Sequence, residues 1–79
     1  MNIEINLYAT LSQYLPDRSG TRSKTFSAAD NISVRELLKQ FNVPDKAVKL
    51  IFINGVHAEM DAVLKDGDRV GVFPAIGGG

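Results

Sequence analysis

The chain has 79 residues, 44% of them hydrophobic and 23% charged, the make-up of one ordinary globular domain rather than of a disordered or fibrous chain. Nine basic side chains balance nine acidic ones, which removes any whole-molecule argument for nucleic acid or an anionic membrane as a partner. The absence of cysteine excludes a disulfide framework, a cysteine-ligated metal or iron–sulfur centre, and a cysteine nucleophile.

Residues 2–8 alternate, with Ile3, Ile5 and Leu7 on one side and Asn2, Glu4 and Asn6 on the other, which predicts a half-buried strand. Thr10 and Gln13 have the spacing of a capping box. They open a short helix in which Leu11, Tyr14 and Leu15 share a face and which Pro16 ends. Residues 17–22 are polar around Gly20 and read as a loop. Residues 23–28 form a second strand with Phe26 as its core residue, antiparallel to the first across a long connection. Residues 34–41 carry the clearest helix. Ser33 and Glu36 form an S-x-x-E capping box, Ile32 and Leu37 are placed as a hydrophobic staple, and Val34, Leu37, Leu38 and Phe41 make one apolar stripe. Asn42-Val43-Pro44 stops it.

Residues 48–53 are apolar apart from Lys49, and Leu50-Ile51-Phe52-Ile53 reads as a well-buried strand. Asn54-Gly55 predicts a tight hairpin turn, with residues 56–58 returning as a short strand. Residues 61–64 are a turn or a single helical turn, with Leu64 plugging the core. Asp66-Gly67-Asp68 makes another turn, and residues 69–73 are the last strand, with Val70 and Val72 on one face. A single apolar helical stripe must cover one face of a mixed sheet. The class is therefore α+β, and a β-grasp arrangement fits: four to five strands crossed by one main helix. The first and last strands lie parallel in the sheet centre, joined by the crossover that parallel neighbours need. Residues 1–74 form the domain and residues 75–79 a flexible tail.

Self-contained catalysis has no candidate group. His57 is the only histidine and reads as a surface or turn residue, with no second histidine or cysteine for a metal site. Ser12, Ser19, Ser23, Ser27 and Ser33 lack a nucleophile-elbow context. Asp61, Asp66 and Asp68 lack the twelve-residue calcium-loop pattern. Gly77-Gly78-Gly79 is no phosphate cradle, since no helix follows it. What stands out instead is the end, R-V-G-V-F-P-A-I-G-G-G over residues 69–79. The glycines can enter a channel too narrow for a side chain. A terminal α-carboxylate at Gly79, with an ordinary pKa of about 3.3–3.7, is ionised at neutral pH. Phe73, Pro74 and Ile76 cluster just before the glycines as a candidate partner-binding surface, with sheet-edge packing the equal alternative for Phe73.

Four stretches, I-S-V-R-E-L-L, I-F-I-N-G-V, L-K-D-G-D-R-V and F-P-A-I-G-G-G, in this order and ending on Gly-Gly, resemble the MoaD/ThiS family of ubiquitin-like sulfur-carrier proteins. The likeness covers the C-terminal two thirds well and the first strand loosely. Gly78 and Gly79 match the terminal diglycine. Gly77 stands where Ser or Ala is more usual, and Ala75 where a second Pro is common. The resemblance implies a ubiquitin-like fold and a carrier that is not itself an enzyme. A ubiquitin-activating-type enzyme would use ATP to convert Gly79 to an acyl-adenylate. A sulfur donor would then make the thiocarboxylate, with Gly77 and Gly78 threading the tail. The large subunit of a synthase, or an equivalent acceptor complex, would take the sulfur toward a molybdopterin-type product.

No permanently bound cofactor and no metal are implied, and neither nucleic acid nor membrane as partner. No apolar run approaches the ~20 residues of a membrane span, and Met1-Asn2-Ile3-Glu4 lacks signal-peptide character, so a cytoplasmic location is expected. Three readings compete with the molybdopterin carrier: a carrier in the thiamine pathway, a protein modifier joined through Gly79 to lysines, and a plain β-grasp interaction domain. Lysine adducts would favour the modifier, and a dispensable tail would favour the interaction domain.

Overall fold

Alternation in the first strand does what its pattern requires. In the computed structural model, which describes residues 1–14 and 23–75, Ile3, Ile5 and Leu7 of β1 (Asn2–Leu7) are fully buried while Asn2, Glu4 and Asn6 face outward. Strand β2 (Ser23–Ser27) pairs antiparallel with β1, Ile3 opposite Phe26, and Phe26 packs against the ring of Phe41. The helix α1 (Val34–Gln40) is followed by β3 (Val48–Ile53), β4 (Val56–Ala58) and β5 (Arg69–Pro74). The sheet order is β2-β1-β5-β3-β4. Strands β1 and β5 run parallel, Glu4 opposite Arg69 and Leu7 opposite Val72. Strand β3 pairs antiparallel with both β5 and β4. This is the mixed five-stranded β-grasp sheet expected, with the last strand at its centre. The expected loop over residues 17–22 lies outside the described residues, as does Leu15.

The ends of α1 explain why a helix this short holds. Ser33 Oγ accepts the Glu36 N–H at 3.2 Å, and Glu36 Oε1 accepts the Ser33 N–H at 3.1 Å, a complete capping box. The next orphan donors are met by the chain at residues 60–62: Val34 N–H donates to the Ala62 carbonyl at 3.0 Å and Arg35 N–H to that of Met60 at 2.9 Å. At the other end Asn42 takes a left-handed conformation, φ 62°. Its N–H reaches the Lys39 carbonyl and that of Val43 the Leu38 carbonyl, each at 3.0 Å. That is a Schellman closure with Asn in glycine's usual place. Ile32, Leu37 and Val43 are all buried.

Replacing Ser33 with Ala should cost about 0.5–2 kcal/mol in urea denaturation. The two bonds from Ser33, first backbone and then side chain, hold the Glu36 carboxyl below its usual range. A folded pKa that is depressed gives stability present above the unfolded value and lost as pH falls through the folded one. The gap in thermal midpoint between the wild type and Glu36→Gln should therefore narrow on acidification below the ordinary carboxylate range. A gap independent of pH would remove the Glu36 carboxylate from the cap.

Two local readings need correction, and for residues 61–64 the structure decides between the two expected forms. The short helix expected after β1 is present as a 3-10 helix, Ala9–Tyr14, but Thr10 does not cap it. Ala9 turns the chain with φ 51°, so Thr10 already lies inside the helix. Residues 61–64 form a turn with an isolated antiparallel bridge between Ser33 and Val63, and Leu64 is buried as expected. Strand β3 is not buried throughout: Ile51 is, while Leu50 is 41% exposed. The described residues contain one α-helix, and it can cover only one face of the sheet. The core lies on that face, where Val34, Leu37, Leu38 and Phe41 join the inward residues of β1, β3 and β5. No helix of the described residues is long and apolar enough to cross a membrane.

Candidate functional site

The face of the sheet that no helix of the described residues covers is built by the same alternation that builds the core. Strand register places Phe52 and Asn6 on either side of Gly71, and Leu50 opposite Phe73. Tyr8, directly after β1, continues the outward phase of Asn2, Glu4 and Asn6, and its N–H donates to the Val72 carbonyl at 3.1 Å. The Tyr8 ring stacks on Phe73, centroids 4.4 Å apart and planes 8° off parallel. Phe73 meets Phe52 edge-on at 5.8 Å, and Phe52 meets His57 in the same way at 5.8 Å. Such pairs contribute beyond the area they bury, so the row is preformed. Phe73 nevertheless remains 37% exposed. A polar row runs beside it. The Asn6 amide donates to Glu4 Oε2 at 3.0 Å, and Arg69 Nε lies 3.5 Å from the same oxygen. The Asn6 bond first, and then Arg69, lower the Glu4 pKa against a partial desolvation.

Phe73 and Pro74 are the expected partner residues among those described. They divide by face: Pro74 is buried at the end of β5 opposite Val48, and Phe73 presents its ring outward. Phe73 sits in the central strand, so its packing is with an aromatic row rather than at a sheet edge. Beyond Pro74, the Ala75 N–H donates to the Ala47 carbonyl at 3.0 Å, which fixes where the chain leaves the sheet. Ile76, Gly77, Gly78 and Gly79 lie outside the described residues. Tyr8, Leu50, Phe52 and Gly71 were not singled out from the sequence. Their signal was the outward phase of each strand, readable only once one face is known to be uncovered.

The remaining polar candidates serve the fold. Asp66 Oδ1 accepts the Asn2 N–H at 2.7 Å, and Asp68 accepts the Lys65 N–H at 2.8 Å and the Asn54 amide at 2.9 Å, the turn chemistry expected of them. Asp61 pairs with Arg35, which also lies 3.5 Å from Asp45. Asn54 and Gly55 have φ 53° and 82°, the left-handed pair a two-residue hairpin loop needs. His57 is exposed, 4.0 Å from Glu59. Among the described residues no three His, Cys, Asp or Glu side chains are grouped to hold a metal.

A family model described as Mut7-C ubiquitin matches residues 1–77. Among solved structures, the HVO 2177 protein of Haloferax volcanii is 25% identical with a TM-score of 0.76, the match covering 100% of this chain and 87% of that one. The small archaeal modifier protein 1 of the same organism is 18% identical, TM-score 0.71, over 95% and 98% of the two chains. A chain from the Helicobacter pylori complex of subunits 1 and 2 of molybdopterin-converting factor is 19% identical, TM-score 0.63, over the whole of both. The last two likenesses show the fold. The ubiquitin-like resemblance drawn from the motifs thus holds. No curated protein sequence is similar enough to the chain to be matched.

Proposed function

The chain belongs to the Mut7-C ubiquitin family, and from there we propose that it is a sulfur carrier whose Gly79 carboxylate is the group acted on. The observation that supports this most is the place of β5. It lies between β1 and β3 at the centre of the sheet, so the base of the tail is fixed, and it ends beside an uncovered aromatic row. Gly79 lies four residues past Ala75, at most about 13–14 Å of extended chain. A partner seated on the aromatic row can therefore receive the tail in an adjoining channel. Ordering a glycine tail costs entropy, so the affinity must come from the folded face.

A carboxylate is a poor electrophile until one oxygen becomes a good leaving group. In a ubiquitin-activating-type enzyme, attack of the Gly79 carboxylate on the α-phosphorus of ATP forms the acyl-adenylate and releases pyrophosphate. Attack of sulfide from a donor on the acyl carbon forms the C–S bond and expels AMP, leaving a thiocarboxylate. Gly77, Gly78 and Gly79 leave that carbon unhindered. ATP is a substrate of the partner, and the carrier holds no cofactor of its own. The likeness to a chain of the molybdopterin-converting factor complex makes the large subunit of a molybdopterin-type synthase the favoured acceptor. The likeness to a small archaeal modifier protein supports a second reading, in which a lysine amine of a target protein takes the place of sulfide. Adducts on lysines would identify it.

The test is ATP–pyrophosphate exchange by the adenylating enzyme of the source organism, which should depend on adding this chain. Exchange that is indifferent to the chain would contradict the activation step. Phe73→Asp and Ile76→Asp should each raise the carrier's KM in this assay, with kcat little changed and the thermal midpoint of Ile76→Asp that of the wild type. An unchanged KM for either would remove that residue from the docking surface.

A further inference from the structure

Of the five asparagines in the chain, Asn54 alone precedes a glycine; the others precede Ile, Leu or Val. An asparagine amide is open to attack by the backbone nitrogen of the next residue, and a glycine there has no side chain to obstruct the approach. The pair is exposed at the tip of the β3–β4 hairpin, and a Cβ built on Gly55 would meet no atom beyond its chain neighbours within 4 Å. The fold nevertheless employs both ends of the Asn54 amide. Its Nδ2 donates to Asp68 Oδ1 at 2.9 Å, and its Oδ1 accepts the Arg69 N–H at 3.0 Å. The Asn54 N–H also reaches the Arg69 carbonyl at 2.8 Å. One residue thus clasps the hairpin tip to the first residue of β5, and both polar atoms of its side chain are held by residues 68 and 69 rather than left free beside Gly55.

We infer that Asn54 is a site of spontaneous, one-way modification, kept shut in the folded domain by its own clasp to Asp68 and Arg69. The chemistry needs only water. When the clasp opens, the Gly55 nitrogen loses its proton and bonds to Asn54 Cγ. The Cγ–Nδ2 bond breaks, and Nδ2 leaves as ammonia, taking up a proton in its place. Water then opens the cyclic imide. Cleavage at Cγ leaves an aspartate, and cleavage at the main-chain carbonyl leaves an isoaspartate whose backbone runs through Cγ. Nothing is oxidised or reduced. Neither product restores the clasp in full. In the aspartate an oxygen replaces the donor that faced Asp68 Oδ1, so two carboxylates meet where a hydrogen bond stood. In the isoaspartate an extra backbone carbon enters a tight turn whose φ values are 53° and 82°. Either way β5 loses a tie at its first residue, and β5 is the strand from which the tail leaves. The inference is independent of the carrier reading.

The experiment is incubation of the wild-type protein at mildly alkaline pH, native and in urea, followed by peptide mapping and by labelling with an isoaspartyl methyltransferase. Amide loss should map to Asn54 and not to the other four asparagines. Asp66-Gly67 has a similar reach but no amide to lose, so the mass change separates the two. The unfolded chain should react at least about tenfold faster than the native one, because the native rate waits on local opening. Gly55→Ala should slow the loss in urea, where the left-handed conformation of Gly55 no longer matters, and so identify the Gly55 nitrogen as the attacking group. Native Asp68→Ala should approach the urea rate. Asn54→Asp should melt at least about 2 °C below the wild type, the scale of one hydrogen bond in a domain of this size. If Asp68→Ala fails to fold, the ratio of native to urea rates in the wild type decides alone. Equal rates in the two states overturn the clasp. Amide loss that is absent at Asn54, or spread over several asparagines, overturns the site. A wild-type midpoint for Asn54→Asp overturns the consequence for β5.

Discussion

Deleting Gly79 should abolish thiocarboxylation by the activating enzyme, ATP and a sulfide source, while the melt and the affinity of the folded domain stay those of the full chain. The carboxylate would be withdrawn by one residue, about 3.3–3.6 Å of extended chain. The base of the tail cannot follow, because β5 is paired on both sides and Ala75 is bonded to Ala47. Misplacement of a reacting atom by about 1 Å can already cost roughly a hundredfold in rate. Adding an alanine after Gly79 should fail as well, since the carboxylate then overshoots and its carbon carries a methyl-bearing neighbour. The two variants err in opposite directions, so their joint failure separates a requirement for length from one for flexibility. Reaction of either at the wild-type rate would show that the enzyme reads something other than the position of the terminal glycine.

The largest effect on the fold is expected for Leu38→Ala, which should destabilise by about 2–5 kcal/mol. Leu38 is fully buried among the inward residues of the sheet, and its carbonyl accepts the N–H groups of Phe41 and Val43 that close the helix. The cavity therefore opens where α1 is both packed and terminated. At roughly 4–8 °C per kcal/mol for a domain of this size, the midpoint should fall by at least about 8 °C. Val56 is 68% exposed, and Val56→Ala should stay within about 0.5 kcal/mol. Equal effects at the two positions would mean that α1 does not pack across the sheet as described.

Much of the fold was legible in the sequence because its signals are local. Ser33 and Glu36 announce the start of α1, Asn54-Gly55 announces the hairpin, and Ile3, Ile5 and Leu7 fix the phase of β1. The parallel pairing of β1 with β5 followed from the order of elements, since one apolar helical stripe permits few arrangements. Burial of β3 was not legible. Leu50-Ile51-Phe52-Ile53 is a continuous apolar run, and such a run looks the same whether both faces of a sheet are covered or one is. The difference is set by how many helices the chain can supply. Gly71 was hidden for a related reason: between Val70 and Val72 it reads as a weak point in a strand, and only the register shows Phe52 and Asn6 flanking it with Tyr8 beyond. The 3-10 helix at Ala9–Tyr14 turns on the left-handed Ala9, which no propensity anticipates. On the candidate site, the aromatic base was half visible through Phe73, while its partners Tyr8 and Phe52 lie far from it in sequence.

The central claim is that Gly79 carries the reactive carboxyl. Intact-mass analysis of the protein purified from its own host, with fragmentation of its C-terminal peptide, tests that claim most directly. The account predicts a mature chain ending at Gly79, of which a fraction has one terminal oxygen replaced by sulfur, the sulfur being located on Gly79 and lost in a host that lacks the adenylating enzyme. A mature chain that continues past Gly79, or one that ends there and carries only the carboxylate while the sulfur-containing product is being made, would contradict it.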